Sequence, residues 1–195
     1  GREKQALYIK FEMYKYLIDS FKNELNNPKE IGYHNLMLLK NGKDSFEALK
    51  YMQQMGIDIN SHNEGYSPLQ FISYYDEFII QKIELLLKQK ININYQDKDG
   101  DTPLHQFVTN YITVQNEPNE EKEKLPSDVN SILLLAGITQ KDMKQEYLKQ
   151  LKQAIKYLID NGVNKKIKNK QNKRAYDVAN EGKIGDKELL GWLKR

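Results

Sequence analysis

The stretch DKDGDTPLHQFVTN, residues 97–110, places a polar, acidic segment directly before a proline and an apolar run. Gly100 can adopt a positive φ at little cost, which suits a tight turn. Thr102 can cap a helix that has Pro103 at its first position. The stretch therefore predicts a turn followed by a short helix, which we expect to extend from Pro103 to Tyr111.

The pattern recurs on both sides of this stretch. GYSPLQ (65–70) has its proline 35 residues earlier, and NKRAYDVA (172–179) repeats the pattern with alanine in place of proline. Residues 32–56 supply a fourth copy. Each copy predicts a pair of helices whose apolar faces would be exposed in isolation and are buried when the pairs stack. The second helix of one copy has its inward positions at helical spacing: Phe78, Ile79, Lys82, Ile83, Leu86 and Leu87.

These strings resemble the ankyrin repeat. DGDTPLH matches that family's Gly-x-Thr-Pro-Leu-His signature, and the resemblance covers residues 31–195 apart from one insertion. It implies an all-α fold, an ankyrin-repeat solenoid of about four repeats. It also implies that the side chains of Thr102 and His105 hydrogen-bond to neighbouring backbone and join the hairpin to the helices. Gln70 and Asp177 occupy the positions equivalent to His105 and are also polar side chains able to hydrogen-bond locally.

Two regions depart from the repeat. In residues 1–30, apolar side chains recur in steps of four and three, which predicts an N-terminal capping helix, with a coiled-coil segment as the alternative. The third repeat carries a helical insertion at about 114–148, because its pattern and that of the next copy lie 72 residues apart. We expect a short helix over 125–138 and a long one from Thr139 to about Asn161.

Part of the insertion has a second interpretation. LPSDVNSILL (125–134) resembles the start of an F-box, which implies recruitment of a ubiquitin-ligase adaptor. Ordinary packing of a short apolar helix is the other interpretation.

No constellation of catalytic residues is visible. The chain has no cysteine, which excludes disulfides, thiolate metal sites and a cysteine nucleophile. His34, His62 and His105 belong to different repeats and lack the spacing of zinc ligands. The acidic string that begins at Asp97 lacks the glutamate that a calcium loop needs at its twelfth position. We therefore predict no enzyme activity, no cofactor, no metal and no small-molecule substrate.

Charge and hydropathy narrow the class of partner. The net charge is only +3, and no apolar run reaches the roughly 18 residues of a membrane span. KKIKNKQNKR (165–174) holds six positive charges and no acid. It is interpreted as a solvated hairpin, a contact for an acidic partner, a nuclear import signal or a nucleic-acid groove. Aromatic residues are missing apart from the adjoining Tyr176, so nucleic acid is not favoured.

The resemblance implies a non-catalytic module that binds a partner protein through hairpin tips and the concave helix face. Tyr74 and Tyr75 are the preferred anchors, because exposed tyrosines are frequent at binding hot spots. The predicted contacts are Asn63, Glu64, Tyr66, Tyr74, Tyr75, Lys98, Asp99, Asp101, Thr109, Asn110 and Tyr111. The tip of the last hairpin adds Lys170, Gln171 and Lys173.

Composition and the degenerate repeats also resemble ankyrin-containing effectors of intracellular bacteria. That resemblance implies a cytoplasmic location, which is the host cytosol for a secreted effector. A substrate-recruiting or regulatory ankyrin domain of a larger enzyme is the alternative, which the absence of an initiator methionine leaves open. The F-box-like ubiquitin-ligase adaptor is the second alternative.

Overall fold

The computed structural model describes residues 15–16, 18–20, 42–57, 67–72, 78–117 and 140–194. Residues 15–16 and 18–20 are helical, and no strand occurs in these ranges. The other helices are α1 Gly42–Gln54, α2 Pro68–Phe71, α3 Ile79–Lys88, α4 Pro103–Asn116, α5 Gln140–Asp160, α6 Ala175–Glu181 and α7 Lys187–Lys194. The described chain is thus all-α, as predicted.

The helices pack in two series. In the first, α4 lies between α2 and α6. In the second, α1 packs on α3, α3 on α5, and α5 on α7. Contacts between α2 and α3, α4 and α5, and α6 and α7 join the two series. The described helices therefore bury apolar faces against their neighbours both within and between the two series.

One apolar cluster runs through the described helices. It extends from Ile18, in the N-terminal helical segment, to Leu193 in α7. Ile18 is fully buried, and the neighbouring Asp19 carboxylate accepts a hydrogen bond of 2.6 Å from the hydroxyl of Tyr51 in α1. The N-terminal segment thus packs on the first described helix of the stack.

Three second-series helices end in a common way, which α6 of the first series shares at Lys183 and Ile184. Gly56, Lys90 and Gly162 follow α1, α3 and α5 with φ of 69°, 58° and 85°. The next residue is apolar and buried in each case, and its N–H donates back to a carbonyl of the last turn, as Val163 does to Leu158 at 3.1 Å. A left-handed residue that ends the helix and returns the chain to the core explains why these turns recur.

Most predicted helix positions agree with the structure. The buried face of α3 contains Ile79, Lys82, Ile83 and Leu86, and the Lys82 side chain is 0 % exposed. The predicted long helix from Thr139 to Asn161 corresponds to α5, and α6 begins at Ala175.

Helix α4 is longer than predicted, because it ends at Asn116 and not at Tyr111. Its extra turn places the half-buried Ile112 against Gly182, the residue that ends α6. A Cβ at Gly182 would overlap the Ile112 side chain. The length of α4 therefore depends on a contact with residues about 70 positions later, which local sequence does not reveal.

Several predictions lie outside the described residues. These are the helix over 125–138, the F-box-like stretch 125–134, and most of the capping helix over 1–30. Among the described helices, none combines the length and hydropathy needed to cross a membrane.

Candidate binding surface

Two loops with the same internal hydrogen bonds form the edge of the stack. We call residues 92–102 the acidic loop and residues 164–174 the basic loop. In the acidic loop, Asp97 Oδ1 accepts from the N–H groups of Asp99 and Asp101, both at 2.9 Å. In the basic loop, Asn169 Oδ1 accepts from the N–H groups of Gln171 and Lys173 at 3.0 and 3.1 Å. Both tips are therefore held by their own side chains.

The two loops lie side by side. The Lys170 N–H donates to the Asp99 carbonyl at 2.9 Å, and the Asn169 amide donates to Asp101 Oδ1 at 2.8 Å. Gln96 Nε2 donates to the Lys168 carbonyl at 3.1 Å. Gly100 permits this approach, because a Cβ there would lie 2.9 Å from the Lys170 nitrogen. The loop edge is thus a preformed surface.

His105 joins the loops to helix α4. Its Nδ1 lies 3.2 Å from the Thr102 nitrogen, whose N–H can only donate, so Nδ1 must be the unprotonated nitrogen. Nε2 therefore carries the hydrogen and donates to the Lys173 carbonyl at 3.0 Å. The predicted structural role of His105 is confirmed.

Gln70 makes the equivalent pair of hydrogen bonds in the preceding unit. Its Oε1 accepts from the Ser67 N–H at 2.8 Å, and its Nε2 donates to the carbonyl of Asp101 at 2.9 Å. Nε2 also donates to Asp97 Oδ2 at 2.9 Å. A neutral imidazole offers one acceptor and one donor nitrogen, and a side-chain amide offers an acceptor oxygen and a donor nitrogen with two hydrogens, so either side chain can accept from the capping N–H and donate to the next loop.

The last unit uses a carboxylate instead. Asp177 Oδ2 accepts from the Arg174 N–H at 2.9 Å, and its two oxygens pair with the Arg174 guanidinium at 3.0 and 2.9 Å. These bonds lower the pKa of Asp177 to about 2. A carboxylate cannot donate to a following unit, and Asp177 occupies this position in the last unit whose start matches the repeat pattern.

Some of the predicted contact residues are exposed, and others are buried. Lys98, Asp99 and Thr109 are exposed, and Asp101 is partly buried with its carboxylate bonded to Asn169. Asn110 is 8 % exposed and Tyr111 is 7 % exposed, so these two offer little surface.

The expectation that α4 presents Asn110 and Tyr111 to a partner is therefore corrected. Tyr111 packs in the core, where burial raises its pKa, and Asn110 Oδ1 accepts from Gln106 at 3.1 Å. The remaining predicted contacts lie outside the described residues: Asn63, Glu64, Tyr66, Tyr74 and Tyr75.

Helices α5 and α7 form a groove that sequence reasoning missed. It has a volume of about 340 Å³. Its lining residues come from α5 and α7: Lys149, Lys152, Gln153, Lys156, Tyr157, Asp160 and Trp192. The lysines are paired within the chain: Lys149 with Glu146, Lys156 with Asp160, and Lys152 with Asp186 and Glu188. The groove is thus close to neutral.

Lys152 connects α5 to the segment that starts α7. Its Nζ lies 2.7 Å from Asp186 and 5.2 Å from the centre of the Trp192 ring. Burial alone would raise the pKa of Asp186, but the hydrogen bond from Lys152 and those from backbone N–H groups lower it overall. The pairs at spacings of three and four are visible in the sequence, whereas the Lys152–Asp186 contact has no local signal.

The acidic loop is not arranged as a metal site. Within the described ranges, no group of three His, Asp or Glu side chains could hold a metal ion. Asp97 instead accepts hydrogen bonds from N–H groups of its own loop and from Gln70.

Comparison with known proteins identifies no relative. No protein-family model and no curated protein sequence matches the chain.

Proposed function

We propose that the chain is an ankyrin-repeat solenoid that acts as a non-catalytic module for binding a partner protein. The proposal rests on the quoted repeat strings, on the two series of packed helices and on the recurring left-handed turns. In this interpretation α2, α4 and α6 are first helices, and α1, α3, α5 and α7 are second helices. A bacterial effector in the host cytosol remains the biological setting that the resemblance implies.

The observation that carries the functional proposal is the loop edge. Its two tips are fixed by side-chain hydrogen bonds and by direct contacts between the loops, while Lys98, Asp99 and Lys170 stay exposed. A surface that is rigid before binding loses little conformational entropy on association. Thr109, exposed on α4, extends this surface onto a first helix.

The test compares partner capture by two charge-matched variants. Asp99→Lys with Thr109→Arg alters the loop edge and α4. Glu146→Lys with Gln153→Arg makes the same charge change at exposed positions of α5. Each protein is immobilised, incubated with host-cell lysate and analysed by mass spectrometry, after circular dichroism has shown that it is folded.

We expect one partner to be captured by the parent chain and by the α5 variant, and to be lost with the loop-edge variant. Equal capture by both variants would contradict the proposed surface. The absence of any specific partner for the folded parent chain would contradict the binding function.

A further inference from the structure

Lysines at alternate positions of the basic loop point outward. Lys166, Lys168 and Lys170 are exposed, whereas Ile167 and Asn169 between them are half-buried. Lys168 lies in the stretch 167–169, and Lys166 and Lys170 lie in the turns at its two ends. We call these three exposed cations of the basic loop the lysine row.

The other three cations of the loop are already engaged. Lys165 donates to the Trp192 carbonyl at 2.9 Å, Lys173 pairs with Glu181, and Arg174 pairs with Asp177. Each contributes to the packing of the last helices. These cations are therefore less available to a partner.

The row itself has no acidic partner in the described parts of the chain. Lys168 donates to the neutral amide oxygen of Asn172 at 3.0 Å. Its charge also helps to lower the pKa of Asp177, but that carboxylate is paired with Arg174. No carboxylate there forms an ion pair with Lys166 or Lys170, which leaves three uncompensated positive charges side by side.

Two features favour a short acidic peptide over nucleic acid. The Tyr176 ring, the nearest aromatic group in sequence, has the Arg174 guanidinium 5.6 Å from its centre, so that face is unavailable for base stacking. At the other end of the row, the acidic loop begins immediately, with the Asp99 carbonyl bonded to the Lys170 N–H. A long polyanion that crossed this junction would meet Asp99, whereas a short acidic segment would not.

We propose that Lys166, Lys168 and Lys170 dock an extended segment of the partner protein that carries Glu or Asp at alternate positions. The proposal rests on the proposed binding function and specifies the chemistry of the partner. Carboxylates at alternate positions of an extended peptide lie on one side of it, roughly 7 Å apart, so that each can pair with a different ammonium group. Complementary charge at an exposed edge raises the association rate and fixes register.

The test is an NMR titration of the isotopically labelled chain with the blocked peptide SESESES. Four further titrations isolate the contributions: the block peptide EEESSSS, a seven-nucleotide thymidine strand, and SESESES added to each of two triple variants. The first variant replaces Lys166, Lys168 and Lys170 by Gln. The matched control replaces Lys141, Lys187 and Lys194, which are exposed lysines of α5 and α7.

We expect the amide signals of residues 165–171 to shift, and the Lys166, Lys168, Lys170 variant to weaken binding about tenfold, as three exposed ion pairs would. The control variant should bind like the parent chain, and the block peptide should bind less tightly than SESESES. An arginine triple variant at the same three positions should retain binding.

Equal weakening by the control variant would show that only net charge matters and would overturn the proposal. Tighter binding of the thymidine strand would overturn it in favour of nucleic acid, and an absence of shifts would refute it directly. None of these results would change whether a partner is captured in the lysate experiment. Failure of the proposed docking at Lys166, Lys168 and Lys170 is therefore distinguishable from failure of the binding function.

Discussion

At the scale of single residues, position 105 shows how the repeat pattern becomes structure. His105 and Gln70 both accept from the N–H of the residue that caps their helix and donate to the carbonyl of the next loop. The sequence predicted that these side chains bond locally. It did not predict that the donor bond reaches the following unit, because Lys173 is 68 residues away.

Replacement of His105 separates hydrogen bonding from packing. His105→Gln should keep both bonds and change the free energy of unfolding by less than about 1 kcal/mol. His105→Leu leaves the Thr102 N–H and the Lys173 carbonyl without their partner and should cost about 1–3 kcal/mol. Urea denaturation followed by circular dichroism measures both, and equal stability of the two variants would contradict this role.

The low pKa of Asp177 predicts how the stability of the chain changes at acidic pH. Its folded pKa is about 2, below the ordinary 3.8, because Arg174 bonds to it. A depressed folded pKa contributes stability that is complete above the unfolded pKa and is lost as the pH falls from 3.8 towards 2. The stability difference between the parent chain and Asp177→Asn should therefore shrink across this interval. Arg174→Gln should weaken the same pH dependence, because only the backbone N–H of residue 174 and the charge of Lys168 would still lower the pKa of Asp177. An unchanged pH dependence would point to another group.

At the scale of elements, the sequence predicted starts and faces better than ends. Thr102 and Pro103 define the start of α4 locally, and the helical period alone placed Lys82 on the buried face of α3. The end of α4 depends on Ile112 packing beside Gly182, and the burial of Tyr111 depends on its neighbours in the stack. Such positions cannot be assigned from one helix in isolation.

The contribution of the contact between the acidic and basic loops can be measured by substituting two glycines. Gly100 and Gly162 both have positive φ, 78° and 85°, so alanine at either carries a backbone cost of roughly 1–2 kcal/mol. A Cβ at Gly100 would also lie 2.9 Å from the Lys170 nitrogen, whereas at Gly162 it would meet nothing within 4 Å. Gly100→Ala should therefore destabilise the chain by at least about 1 kcal/mol more than Gly162→Ala. Equal destabilisation in urea denaturation would mean that the loops separate without cost.

At the scale of the whole molecule, neighbouring units depend on one another for burial and for loop contacts. The apolar cluster runs from Ile18 to Leu193, and the loops add links such as that from Lys170 to Asp99. In the proposed solenoid, stability is approximately the sum of unit and interface contributions. Weakening one interface should therefore uncouple one end before it unfolds the rest.

Trp192, the one tryptophan, reports on the C-terminal end because it lies in α7 against Lys152 of α5. In the parent chain we expect its fluorescence and the far-UV circular dichroism to change at the same urea concentration. His105→Leu removes the bond from α4 to the basic loop and thereby weakens the attachment of the last unit, so the fluorescence should change first. Met52→Ala creates a cavity in α1 at the opposite end, and there the fluorescence should change last. If fluorescence and circular dichroism change together in both variants, the chain unfolds as a single cooperative unit. The loop contacts then do not determine which parts unfold separately.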